Sequence, residues 1–343
     1  MGSLPLAAPV RCGQRNVGAR WQAAVMRPAL KSGLLPVWRD RDTLQIGVDP
    51  RRAVALSGMS QAAGLIGLLD GSRDREQVIA AAAERGIPTE TSERVLALLA
   101  AGGALDDFPG GTLRTLPGPL RSRLAPELAA ASLAYRDTDG GARTLARRST
   151  AVIELAGDRR ITGEAERILR AAGLSRVRPY SGGWSGPGPT LVIVAGWLGA
   201  HERDVCDQCV AEGVPHLVAT AREAIGEVGP LVLPSESACL RCLDHARAGH
   251  DPAWPLILAQ ICARRPDPPA CDAVLVAAVA AQAAAQALLA IDQGPATSAA
   301  VNGTLELVPP DFRWRRRSWP PHPDCTCGPL TRPAARATAA ETF

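Results

Sequence analysis

The chain has 343 residues, 46% of them hydrophobic and 21% charged, with a formal net charge of +4. That length supports two domains with real cores, and so mild a charge gives no argument for nucleic acid as a partner. Aromatic residues make up only 3%, too few to build stacking platforms for single-stranded nucleic acid.

Residues 1–27 mix Gly and Arg without a continuous apolar core, and are read as a disordered extension with no secretory signal. Nine cysteines, several set in couples, read as metal ligands of a cytoplasmic protein more readily than as a disulfide framework. Residues 28–108 form the first expected domain. Pro36–Arg39, Thr43–Val48 and Arg52–Leu56 are short strand candidates separated by Asp- and Pro-containing turns. Helical periodicity follows in three runs. The first places Leu65, Ile66, Leu68 and Leu69 on one stripe, the second is capped by Ser72 and carries Val78 and Ile79, and the third, after Thr91, carries Val95, Leu96, Leu98 and Leu99. A small sheet followed by three helices is the make-up of a winged helix-turn-helix.

The third helix opens with Glu90, Thr91, Ser92, Glu93 and Arg94, which repel phosphate about as much as they attract it, so DNA reading is not expected. The other use of such a module is peptide capture, in which an extended segment adds a strand to the sheet edge and a helix-lined groove takes its side chains. Arg52, Val54 and Leu56 on the last strand, with Arg94 and Leu98 on the third helix, are the candidate groove. A purely structural role for the module is the alternative.

Residues 109–149 are rich in Pro, Gly and Arg, with Ala125–Ala134 the one helical stretch, and read as a linker. Residues 150–330 form the second expected domain, an α/β unit, and residues 331–343 a disordered tail. Ala151–Leu155, Arg176–Arg178, the all-apolar Leu191–Ala195, His216–Val218 and Gly229–Leu233 are strands interleaved with helices, a Rossmann-type sheet. The run Ala270–Ile291 is long and apolar, but it is mostly alanine and carries Asp272, Gln282 and Gln286. It reads as a buried helix, and no membrane partner is expected.

A working nucleotide loop reads G-x-G-x-x-G, which lets backbone amides approach phosphate. Here the first βα loop reads Gly157-Asp158-Arg159-Arg160-Ile161-Thr162-Gly163, without the middle glycine and with an acid where phosphate would sit. Gly157, Arg159, Arg160 and Gly163 are what remains of a degenerate site, and ATP is not an expected cofactor.

Cys239-Leu-Arg-Cys242 and Cys325-Thr-Cys327 are the strongest chemical signal. Two tight thiol couples make a tetrahedral Cys₄ zinc site, and four protein ligands leave no open position for catalysis, so the expected zinc is structural. Pro-Ser-Glu-Ser before the first couple and Gly328 after the second supply the turns. Cys206 and Cys209 share a face of the helix after the Leu191 strand and read as packing. Cys262 and Cys271 are the only other candidates for a thioester nucleophile, and neither has an activating neighbour. The basic run Trp314–Arg317 is either a solvated edge or a docking strip for an acidic partner.

Several words in the chain carry a resemblance. In the first domain they are Leu35-Pro36-Val37-Trp38, Gly47-Val48-Asp49-Pro50 and Leu69-Asp70-Gly71. In the second they are Val214-Pro215-His216-Leu217, Gly229 to Pro234, the Cys239 couple with Leu243, Asp251 to Pro255, and Arg317 to Cys327. In these the chain resembles the ThiF-like, ubiquitin-activating-enzyme-like, leader-peptide-binding partner proteins of azoline (thiazole/oxazole) peptide biosynthesis, also called cyclodehydratase-domain proteins. The resemblance implies a winged-helix module that binds the leader of a ribosomal precursor peptide. It also implies a ThiF-like body that has lost adenylation, and a separate YcaO-type enzyme as the ATP-dependent cyclodehydratase. Carried over by position, Cys239, Cys242, Cys325 and Cys327 are the metal ligands, and no residue is expected to be catalytic. A homodimer is expected from the pairing habit of ThiF-like folds. The rival reading is an ATP-dependent adenylating enzyme of the ThiF type, acting on a peptide or sulfur-carrier C-terminus.

Overall fold

A computed structural model describes residues 27–107, 116–184, 186, 188–264 and 270–327. Residues 1–26 of the extension expected over 1–27, and the tail expected over 331–343, lie outside the described residues. The chain divides into two compact units, Met1–Arg143 and Thr144–Phe343.

In the first unit, β2 (Pro36–Trp38), β3 (Leu44–Ile46) and β4 (Val54–Leu56) form an antiparallel meander in which β3 is central. A 3₁₀ turn over Ala63–Leu68, α1 (Arg75–Ala83) and α2 (Thr89–Ala101) follow. Leu44, Ile46, Leu56, Leu65, Leu68, Val78, Val95 and Leu99 bury together as one core, which is the apolar stripe read from the sequence closing on the sheet. The cap of α1 is Asp74, not Ser72. Its carboxylate accepts from the Gln77 amide at 2.8 Å while the Gln77 side chain accepts from the Asp74 amide at 3.0 Å, a reciprocal pair that satisfies two orphan donors.

Two further strands, β1 (Pro28–Leu30) and β5 (Leu105–Asp107), pair antiparallel. The pairing carries Lys31 inside, 1% exposed, where its ammonium donates to Asp106 at 2.6 Å, to the Ser132 carbonyl at 3.2 Å, and to the Ser132 hydroxyl and Asp137 carbonyl. Ser132 lies on α3 (Gly118–Tyr135). The stretch whose composition reads as a linker thus holds two helices, α3 and α4 (Ala142–Thr150). Pro119 falls in the first turn of α3, where its missing N–H costs nothing, and Leu124, Leu128 and Ala131 are buried.

In the second unit one seven-stranded sheet runs in the order β12-β11-β10-β9-β8-β6-β7. Strands β6 (Val152–Gly157), β7 (Arg176–Pro179), β8 (Leu191–Ala195) and β9 (His216–Arg222) are parallel. Strands β10 (Ile225–Val232), β11 (Gly303–Val308) and β12 (Arg313–Ser318) continue the sheet antiparallel. One face is covered by α5 (Arg159–Ala171) and α9 (Ala273–Gln293) in a core rich in alanine. On the other face α6 (Ala200–Ala211) contributes Val205, Cys206 and Cys209, and α7 (Leu240–His250), which α8 (Trp254–Ala263) follows, contributes Leu240. By length and composition α9 is apolar enough to cross a bilayer, but Leu275, Val279, Ala280, Ala283, Ala284 and Ala287 are buried in the core of the sheet. Arg148 and Asp292 form a buried ion pair at 2.6 Å that ties α4 to the end of α9.

Candidate metal centre

The four cysteines meet where a strand, a helix and the returning tail converge. Beyond β10 the chain turns through Pro234–Ala238, with the Ser237 hydroxyl accepting from the Leu233 amide at 2.7 Å. Cys239 is the N-cap of α7 and Cys242 sits in its first turn. The tail is brought back by Trp319, whose indole N–H donates to the Thr304 hydroxyl at 2.9 Å and whose amide donates to the Asn302 carbonyl at 2.9 Å. The Asn302 side chain also accepts from the Ala238 amide at 2.8 Å, so one residue anchors both cysteine-bearing segments. His322 stacks on His245 of α7 at 4.9 Å between ring centroids, which engages its ring without making it a fifth ligand.

All four sulfurs lie within 4.8 Å of one another. The neighbouring separations are 3.9 Å for Cys239–Cys242, 3.6 Å for Cys239–Cys325 and 3.4 Å for Cys242–Cys327. A tetrahedron with metal–sulfur bonds of about 2.3 Å has edges of about 3.8 Å, so the sulfurs already stand at the spacing of a four-coordinate site. Their protonation is interdependent. The hydrogen bond between Cys239 and Cys242 pushes the Cys242 thiol down to about 4 and the Cys239 thiol up, and burial first of all pushes Cys327 up to about 12. Four simultaneous thiolates need a cation among them, which a divalent metal supplies. The arrangement can hold a metal ion, and with four protein ligands it has no open position.

The other sequence candidates fall differently. Gly157, at φ +93°, is a packing requirement, since a Cβ there would lie 1.9 Å from the Ala195 carbonyl oxygen on β8. Gly163 and both arginines sit inside α5, so the loop shrinks to Asp158. Its carboxylate caps the helix, accepting from the Arg160 amide at 2.9 Å, and pairs with the Arg160 guanidinium at 2.6 Å. Arg159 faces Glu166 at 3.9 Å.

In the first unit β4 is an edge strand and lies beside α2, where Val54 packs against Gly102. Arg94 reaches the Ser57 carbonyl at 3.5 Å, and Leu98 is 44% exposed. Leu56 corrects the expected groove: it is fully buried in the core, because its pairing with Leu44 turns its side chain inward. Only its backbone is available to a ligand. Arg52 is exposed in the turn before the strand. Cys206 and Cys209 are packing residues, buried on α6 with thiols pushed up by burial, Cys209 to about 12. Sequence reasoning missed Asn302 and Trp319 as the anchors of the tail, although the Trp beside the Pro-Pro-His-Pro run was the signal.

No family model matches this chain, and no curated protein matches it in sequence. Solved structures do. The heterocyclase TruD aligns over 88% of this chain at 18% identity with a TM-score of 0.63. A heterocyclase in complex with substrate and cofactor aligns over 88% at 16% identity with a TM-score of 0.62. MccB from E. coli with ATP aligns over 88% at 12% identity with a TM-score of 0.61. The fold is that of the heterocyclases and MccB. The chain spans 43% and 40% of the two heterocyclases but 99% of MccB. The resemblance carried by the cysteine couples therefore holds at the level of the whole fold.

Proposed function

We propose that this chain is a non-catalytic adaptor of azoline peptide biosynthesis. It binds the leader of a ribosomally made precursor peptide through its winged-helix module and presents it to a separate YcaO-type cyclodehydratase in the cytoplasm. The leader would add a strand to the edge of β4 and lay side chains against Arg94 and Leu98, while Cys239, Cys242, Cys325 and Cys327 hold a structural zinc that fastens the tail to α7. The observation that carries the reading is Asp158. A triphosphate-binding turn leaves the helix N-terminus to phosphate, and here the chain's own carboxylate takes it. Heterocyclases among the structural neighbours, one of them with substrate bound, support the peptide assignment.

The second reading, a ThiF-type adenylating enzyme, is favoured by the alignment with ATP-bound MccB over nearly the whole of that protein. Two assays separate them. A fluorescein-labelled leader peptide of an azoline precursor should bind with a micromolar Kd, read by fluorescence polarisation, and ATP–pyrophosphate exchange should be absent. Leu98→Asp should weaken peptide binding about tenfold or more without lowering the melting temperature, since Leu98 is already half in water. Exchange activity in the purified chain would replace the adaptor by the enzyme.

A further inference from the structure

On the α6 and α7 side of the sheet, next to the C-terminal ends of β8 and β9, three arginines stand among tryptophans, and the charges do not close. Arg203 pairs with Asp244 at 2.6 Å, and Arg247 faces Glu227 at 3.8 Å. Arg222, at the end of β9, has no ion pair among the described residues. It lies over the Trp197 ring at 5.9 Å and makes one long hydrogen bond, 3.4 Å, to the Trp197 carbonyl. Burial first of all pushes its guanidinium pKa down, against the opposing pull of Glu227.

Two more donors at this place are idle. The Trp197 indole N–H is buried without a hydrogen-bond partner, and so is the hydroxyl of Thr220. Thr220 is 1% exposed and shares its strand face with Arg222 two residues on. Of the neighbouring acids, Glu227 is the cross-strand partner of Thr220 and is shared between Arg247 and Arg222. Glu202 is held by the Gly199 amide at 2.8 Å and Asp158 by Arg160. The three arginines therefore face two acids, Asp244 and Glu227. A guanidinium and an indole N–H can only donate, and a hydroxyl can donate as well. The group that completes them is an acceptor with negative charge, and a fork of N–H donors matches the paired oxygens of a carboxylate or phosphate.

We propose that Arg222, Trp197 and Thr220 form a binding site for a small oxyanion group, a carboxylate or a phosphate. The site does not depend on the leader-binding reading, because it is built wholly within the second unit and needs neither the β4 edge nor the metal.

The test is thermal denaturation of the full-length, metal-loaded protein in chloride, acetate or inorganic phosphate at one ionic strength. For the parent, acetate or phosphate should raise the melting temperature saturably, by about 3–5 °C at ten times the Kd. Arg222→Met should lose the saturable rise and keep only the shallow salting effect that phosphate has on any protein. A response to acetate alone assigns the site to a carboxylate, such as a peptide side chain or terminus, and a response to phosphate alone assigns it to a phosphate group. Trp197→Phe keeps the ring under Arg222 but removes the N–H, and should raise the anion Kd about three- to tenfold with no change of melting temperature in chloride. No saturable response in the parent, or the parent's response in both variants, overturns the proposal.

Discussion

Helices α5 and α7 both start beyond the end of a strand in the same sheet, and both receive anions supplied by the chain itself, yet the outcomes differ. At α5 the Asp158 carboxylate folds back on its own helix, capping an amide and pairing with Arg160 two residues on. At α7 the sulfur of the capping residue, Cys239, does not cap the helix but lies against the sulfurs of Cys242 and Cys325. The positive end of a helix stabilises negative charge in both places. One terminus neutralises itself and closes, while the other keeps soft donors aimed at a shared point. The difference separates a cluster that could hold a metal from a helix terminus capped by its own side chain.

The comparison is broken most severely at α7. Cys239→Ser should lower the bound zinc from about one ion per chain to near none, measured by plasma mass spectrometry, and lower the melting temperature by about 10 °C. Cys206→Ser, on the same face of the sheet but remote in role, should leave the metal content unchanged. Equal zinc in the parent and in Cys239→Ser would show that the couples do not form the site.

A second effect comes from the core strip that α6 and α7 cover. His216 on β9 is fully buried; its Nδ1 lies 3.3 Å from the Val214 carbonyl, and its Nε2 has no partner. Burial first of all pushes its pKa down from 6.5 to about 4. The unfolded chain therefore binds one more proton than the folded chain between those values, so this stability is present above about pH 6.5 and lost as pH falls towards 4. The loss amounts to about 3 kcal/mol. Urea denaturation from pH 7 to pH 4.5 should show this slope in the parent and a flatter one in His216→Gln. Parallel pH profiles would place the proton elsewhere.

The metal couples were legible because CxxC and CxC are local patterns whose geometry follows from spacing. The strand Leu191–Ala195 was legible because a parallel strand covered on both faces is apolar throughout. What escaped depends on distant partners. Lys31 gives no local sign that it will be buried, and its ligand Asp106 lies 75 residues away, delivered by two three-residue strands too short to announce themselves. Of helix α3 only Ala125–Ala134 was legible; its first two turns escaped because their proline, glycine and arginines were counted as composition, whereas Pro119 stands in the first turn, where it is harmless. Leu56 was placed on the groove because the strand was seen and its register was not. Side chains alternate, and a single step of register decides which of them face the core.

The smallest effect sharpens the comparison at α5. Asp158→Ala removes the cap and its ion pair with the half-exposed Arg160, and should cost about 1 kcal/mol, read as a melting temperature lower by about 2–4 °C. The informative variant is Asp158→Gly, which costs less as a cap and clears the space in front of the first amides of α5. If the carboxylate is what shuts this terminus, Asp158→Gly should gain weak ATP affinity, in the millimolar range by equilibrium dialysis, while Cys239, untouched at the other helix, retains its metal. If Asp158→Gly binds no more ATP than the parent, the closure lies in the missing glycine backbone and not in the acid, and the two helix termini differ in shape before they differ in charge.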